Sequence, residues 1–188
     1  MIFTGLDLET SGLLAPEHRI IEIALVMYNE KGVELGKYVE RFNPVRPIDQ
    51  KALEVHGITF DMVSMLPTLE ANDKAVSMIQ KIISKTDVLV AHNGVDFDLP
   101  FLAMEFARIG KHLPHCPVID TMKAGRWATP WGKVPNLGEL AFACAVPYDK
   151  AKAHAAEYDV STMMGCFFHA LKNDFYSLPE HLKERAIA

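Results

Sequence analysis

The chain has 188 residues, 49% of them apolar and 23% charged, and a formal net charge of −5. That is about one domain's length, with enough apolar material for a core. It excludes a membrane-spanning helix, because no run approaches ~18 apolar residues, and it excludes a strongly basic surface over the whole molecule.

Cysteine usage and the N-terminus narrow the class further. Cys116, Cys144 and Cys166 are widely spaced, odd in number and form no Cys-x-x-Cys. A disulfide framework and a zinc site are therefore not expected, and reduced thiols in a cytoplasmic protein are. Residues 1–6 lack a basic segment before the apolar run, so they read as a strand that begins at once rather than a signal peptide.

In chain order, residues 2–8 make a short apolar strand. Residues 19–28 (RIIEIALVMY) are rich in β-branched side chains, and residues 33–42 follow after the turn Asn29-Glu30-Lys31-Gly32. Three strands with such short connections pair antiparallel. The period then changes. Leu69, Ala75, Val76, Ile79, Ile82 and Ile83 fall on one helical face. Residues 87–91 (DVLVA) read as a buried strand, residues 101–109 as a helix with Pro100 in its first turn, and residues 118–119 as a short strand. Helices are expected over residues 136–145 and 156–172, and a last short one over 179–185. Antiparallel strands followed by alternating helices and strands imply an α/β fold, a mixed sheet with helices on both faces, in a single domain over residues 1–188.

Three acidic clusters carry chemistry. In Asp7-Leu8-Glu9 the two acids stand at i and i+2 on a strand, so both project from one face while Leu6 and Leu8 point into a core. Adjacent carboxylates repel unless a cation lies between them, and oxygen ligands suit Mg²⁺ or Mn²⁺. A solvated strand end gives the same spacing. The second cluster, His92-Asn93-Gly94-Val95-Asp96-Phe97-Asp98-Leu99-Pro100, follows a buried strand, where open α/β sheets place ligands. Either Asp96 or Asp98 suits a ligand or a helix N-cap, and spacing alone does not choose. In the third, His154-Ala155-Ala156-Glu157-Tyr158-Asp159, five residues of helix turn by ~500°, about 140° beyond a full turn. His154 and Asp159 share a site only if His154 stands on the loop before the helix. Otherwise they are a loop histidine and a first-turn acid favoured by the helix dipole.

In this order, Asp-x-Glu, then His-Asn-Gly-x-x-Phe-Asp-Leu-Pro, then His-x-Ala-x-x-Asp closely resemble the three motifs of the DEDDh 3′–5′ exonucleases. The family includes the proofreading subunit of bacterial DNA polymerase III and exonuclease X. Glu54-Val55-His56-Gly57-Ile58-Thr59 and Asn136-Leu137-Gly138-Glu139-Leu140 look like its intermediate landmarks, so the resemblance spans about residues 2–170. It selects Asp98 over Asp96. One extra residue between Asn93 and Phe97 matches a spacing found in some animal repair exonucleases.

The resemblance implies an RNase H-like fold and two-metal hydrolysis of a terminal phosphodiester of DNA, single-stranded by preference, to nucleoside 5′-monophosphates. On it, Asp7 bridges the ions, Glu9 and Asp159 complete the nucleophile side, Asp98 holds the other ion through water, and His154 is the general base. Two divalent ions would also offset most of the negative net charge. By the same analogy Thr10 holds the 3′ end, His56 with Ile58 wedges the terminal bases, and Asn93 and Phe101 line that pocket. Residues 111–133 hold Lys111, Lys123, Arg126 and Lys133 against Asp120 alone, with Lys150 and Lys152 further on. Trp127 and Trp131, interleaved with Arg126 and Lys133, offer stacking faces beside phosphate contacts, or else pack against the sheet edge. An exoribonuclease on the same scaffold and a non-catalytic adaptor of a polymerase are the competing readings. The filled catalytic positions and the short stretch after the last long helix favour a stand-alone enzyme, with a polymerase or repair assembly as its partner.

Overall fold

The computed structural model describes residues 1–180 and 182. Strands β1 (Ile2–Thr10), β2 (Ile20–Asn29) and β3 (Glu34–Arg41) form an antiparallel meander, and β4 (Val88–Ala91) and β5 (Val118–Asp120) continue the sheet in parallel with β1. The strand order is β3-β2-β1-β4-β5. The helices are α1 (Gln50–His56), α2 (Phe60–Val63), α3 (Asp73–Lys85), α4 (Asp98–Arg108), α5 (Thr121–Ala124), α6 (Leu137–Ala143) and α7 (Ala156–Lys172). No helix among the described residues is long and apolar enough to cross a membrane.

Alternation along β1 assigns its side chains to two cores. Leu6 and Leu8 join Ile23 and Leu25 against Ile79 and Ile83 of α3 and Phe101 and Phe106 of α4. Phe3 joins Val26 and Val90 on the opposite face, against Val160, Met164 and Phe167 of α7. The sheet is thus mixed and covered on both faces, as expected. Asp7 and Glu9 follow Phe3 and Gly5 onto the α7 face.

Gly5 fixes how close α7 comes. A Cβ there would lie 2.5 Å from Val160 Cγ1 and 2.9 Å from Met164 Cγ. Glycine in a strand interior forgoes packing of its own, and here it lets a helix rest directly on the strand backbone. The contact sits two residues before Asp7 on β1 and one residue after Asp159 on α7.

Element boundaries differ from expectation in three places. Helix α4 begins at Asp98 and not at residue 101, with Pro100 in its first turn as expected. Leu69 lies outside α3 but is still buried, and the Asn72 side chain caps that helix by accepting from the Ala75 amide. Helices α1, α2 and α5 are only four to seven residues long and carry no readable period. Most of the short helix expected over residues 179–185 lies outside the described residues.

Gly5→Ala should cost about 1–3 kcal/mol, the usual range for overpacking a filled core. Urea unfolding measures this, and Val160→Ala in the same chain should recover part of the loss. If Gly5→Ala is as stable as the parent, α7 is not held at contact distance from β1.

Candidate active site

Four carboxylates from three elements meet at the C-terminal end of β1. Oxygen atoms of Asp7, Glu9 and Asp159 all lie within 4.8 Å of one another. Asp98, only 3% exposed, reaches the group from the start of α4. Burial, and then the charges of Asp98, Glu9 and Asp159, hold the Asp7 carboxyl well above the usual range. Glu9 is pushed up to about 8 by burial and then by Asp159, Glu22 and Asp98. Asp98 is pushed up to about 7, again chiefly by burial. Asp159 is raised by burial and held back by a hydrogen bond from the His154 amide.

These groups cannot all ionise near neutrality without cations among them. Asp98 Oδ1 and Asp159 Oδ1 are buried with no hydrogen-bond partner among the described residues. An all-oxygen donor set with free buried lone pairs fits a hard divalent ion such as Mg²⁺ or Mn²⁺.

His154 stands on the loop before α7, in the left-handed region at φ 64°. Its amide donates to Asp159 Oδ2 at 2.8 Å, and its exposed side chain lines the space over the acids. The geometry is the one the helical rotation required. Tyr158 helps pin the loop, its hydroxyl accepting from the Asp149 amide at 2.6 Å.

The loop that delivers Asp98 is organised by Asp120 at the end of β5. Asp120 Oδ1 accepts from the amides of Asn93, Met122 and Lys123, and Oδ2 from that of Val95, at 3.1–3.2 Å. Asn93 takes up φ 67° in this turn. Asp96 points outward and pairs with Lys123 Nζ at 2.7 Å, so Asp98 and not Asp96 faces the cluster. Asp120 was missed by motif reading. Its signal, an acid ending a strand and followed by Thr-Met-Lys, is that of an ordinary N-cap.

A cavity of about 600 Å³ opens over the acids, with Thr10, Leu13, Val55, His56, Asn93 and Phe97 among its walls. Thr10 Oγ1 donates to Gly12 O at 2.7 Å and shapes the lip. His56 Nδ1 accepts from the Ile58 amide at 3.0 Å, so Nε2 carries the proton and donates to Thr10 O at 3.2 Å. Burial lowers its pKa, which keeps this ring neutral. A second groove of about 1070 Å³ begins at Asp7, His92, Asn93, His154 and Asp159, which also line the first cavity.

Several expected binding residues do not reach either space. Ile58 is buried against Ile21, Val63 and Ile48. Phe101 is buried in the core under α4, because a helix starting at Asp98 turns it inward. Phe97, whose ring lies 5.0 Å from that of Phe101, faces the cavity instead. Trp127 stacks on Phe175 with centroids 4.1 Å apart. Arg126 donates to Gly132 O, and Lys133 pairs with Glu139. Trp131 is fully exposed and lines neither space. Trp127, Arg126 and Lys133 likewise line neither space.

Comparison with known proteins agrees with the geometry. A family model described as Exonuclease, of RNase T type, matches residues 4–167. The chain is 31% identical over 195 residues to mouse Three prime repair exonuclease 2, covering 89% of this chain and 82% of that protein. It is 30% identical over 174 residues to the PolC-type DNA polymerase III of Ureaplasma parvum, covering 91% of this chain but only 11% of that polymerase. Exonuclease I shares the fold, with a TM-score of 0.78 at 20% identity over 91% of this chain and 41% of that one. Exonuclease X in complex with 5′ overhanging duplex DNA matches with a TM-score of 0.63 at 25% identity, covering 93% and 94% of the two chains.

The raised carboxyls make metal-free stability depend on pH. In the folded state they hold protons more tightly than in the unfolded chain. Their contribution is complete below the ordinary carboxylate range and is lost as pH rises through about 7 for Asp98 and about 8 for Glu9. In EDTA the melting temperature should fall between about pH 4 and about pH 8 and level off above that, and saturating Mg²⁺ or Mn²⁺ should restore it most at the alkaline end. A level profile in EDTA would show that the acids do not repel as described.

Proposed function

The chain belongs to the exonuclease family, and on that premise we propose that it is a 3′–5′ exonuclease cutting the terminal phosphodiester of single-stranded DNA to release nucleoside 5′-monophosphates. The observation that carries this is the convergence of Asp7, Glu9 and Asp159 within 4.8 Å, with buried Asp98 raising the Asp7 carboxyl from beside it. The names of the relatives, a three prime repair exonuclease and a DNA polymerase, support DNA as the substrate and a repair or replication assembly as the partner.

Asp7, Glu9, Asp98 and Asp159 would hold two divalent ions. Asp7 is the carboxylate facing both Asp98 and the Glu9–Asp159 pair, which suits it to be shared. Bound ions supply Lewis-acid polarisation of the diester and activation of a water at neutral pH. The protein's own groups do the rest. The imidazole of His154, exposed above Asp159, accepts the proton of the attacking water. Its amide meanwhile fixes the Asp159 carboxylate through the 2.8 Å bond. His92 also opens on the site, but its Nδ1 is engaged by Thr121 Oγ1 at 3.0 Å, and burial lowers its pKa. The terminal nucleoside occupies the 600 Å³ cavity between Phe97, Val55 and Leu13, with Thr10 and neutral His56 at its lip. Residues 1–188 act as one exonuclease domain.

Two experiments test this. A 3′-labelled single strand should release labelled mononucleotide first, with Mg²⁺ or Mn²⁺ required. Asp7→Asn should lower the rate by at least about 10³-fold with the fold retained. Cleavage that persists in excess EDTA, or that starts at the 5′ end, defeats the assignment. His154→Ala keeps the backbone contact to Asp159 and removes only the imidazole. It should lower kcat by about 10²- to 10⁴-fold with little change in KM. A near-normal kcat would remove His154 from the proton transfer and leave the metal ligands untouched.

A further inference from the structure

We propose that the second groove is the path of the single strand leading to the scissile bond, with Phe142 as its base-stacking platform and Lys150 as a phosphate contact. The proposal rests on the exonuclease reading, since it takes the acid cluster as the point of cleavage.

Continuity is the first argument. A strand whose terminal diester lies at Asp7 has its last nucleoside on one side of the acids and the rest of its length on the other. The two spaces meet at Asp7, His92, Asn93, His154 and Asp159, and the groove on the α6 side is the larger, about 1070 Å³ against about 600 Å³.

The second argument is an apolar ring that the core does not use. Helix α6 buries Leu140 and Ala141, yet Phe142 is 88% exposed while lining the groove. One turn earlier on the same helix, Gly138 also lines it. A Cβ at Gly138 would stand 2.9 Å from Tyr148 Cε1, so the Tyr148 ring rests on bare helix backbone and joins the groove wall. Two aromatic rings and Pro130 along one groove offer surface to unpaired bases, each of which has a π-face regardless of sequence.

Charge is the third. Lys150 lines the groove, is exposed and forms no ion pair with any described residue. Glu139 is the groove's carboxylate away from the acid cluster. It is offset by Lys133 Nζ at 2.7 Å and accepts from the Asn136 amide at 2.9 Å. Beyond the acids themselves, the groove therefore shows a free cation and a neutralised acid to a passing phosphate backbone.

The test compares a thymidine oligonucleotide with a thymidine dinucleotide, which places a single nucleoside on the groove side of the scissile bond. Phe142→Ala should raise KM for the oligonucleotide about 5- to 100-fold, the range that loss of one stacked base gives, and leave the dinucleotide unchanged. Phe142→Trp should keep the parent KM, and its added fluorescence should be quenched by the oligonucleotide in a metal-free buffer. Lys150→Met should reduce the salt slope of oligonucleotide binding by about 0.7. An unchanged oligonucleotide KM in Phe142→Ala, or an equal change on both substrates, overturns the proposal. If the parent cleaves neither substrate, the exonuclease reading itself has failed. Quenching of Phe142→Trp then tests strand binding alone: its absence overturns the groove as a binding surface as well, and its presence upholds strand binding there but not a path to a scissile bond.

Discussion

Mutual repulsion among Asp7, Glu9, Asp98 and Asp159 is the constraint on which the arrangement of this molecule turns. Like charges brought this close in a partly buried space destabilise the metal-free fold. They stay together because the scaffold around them leaves little room to move apart. Gly5 lets α7 rest on the backbone of β1, and this sets Asp159 beside Asp7. The His154 amide holds Asp159. Asp120 gathers four amides and so fixes the loop from which α4 starts. Each of these contacts is modest alone, about 1 kcal/mol for a typical hydrogen bond and somewhat more for one to a charged group. Together they make a rigid cage suited to positive charge.

Much of the cage was legible in the sequence because it follows from local periodicity. The strand period of two puts Asp7 and Glu9 on one face and Leu6 and Leu8 on the other, and β1 shows that division. The helical rotation between His154 and Asp159 forces the histidine onto the preceding loop, where it stands. The choice of Asp98 over Asp96 came from motif flanks, and the structure adds a physical ground in the outward pairing of Asp96 with Lys123.

What could not be read depends on contacts between distant segments or on where a helix begins. Phe101 was assigned to the pocket and Phe97 was not. A start at Asp98 instead of residue 101 rotates the first turn of α4 and exchanges their roles. Ile58 belongs to a small cluster with Ile21 and Val63, from segments whose meeting no local pattern announces. Trp127 had a composition suited to nucleic-acid stacking, but Phe175 from beyond α7 covers it. Gly5 carried a signal that went unused: a glycine inside an otherwise apolar strand commonly marks a close backbone approach.

The same register explains why a fifth acid does not break the site. Glu22 lies directly across from Glu9 on β2 and is itself buried, so its charge adds to the repulsion on both Glu9 and Asp7. One strand further out, Arg41 stands opposite Glu22, and its Nε donates to the Glu22 carboxylate. The sequence of charges across the sheet is therefore Glu9, Glu22, Arg41. A one-residue slip of β3 would move the arginine to the other face and leave two adjacent buried acids uncompensated. The guanidinium thus ties Glu22 down on its outer side, away from the cluster of Asp7, Glu9 and Asp159. This separates a carboxylate that belongs to the sheet from those that face the cavity, although both stand on one continuous surface. It also accounts for a site that concentrates negative charge while lying on a sheet whose edge strand is basic at that level.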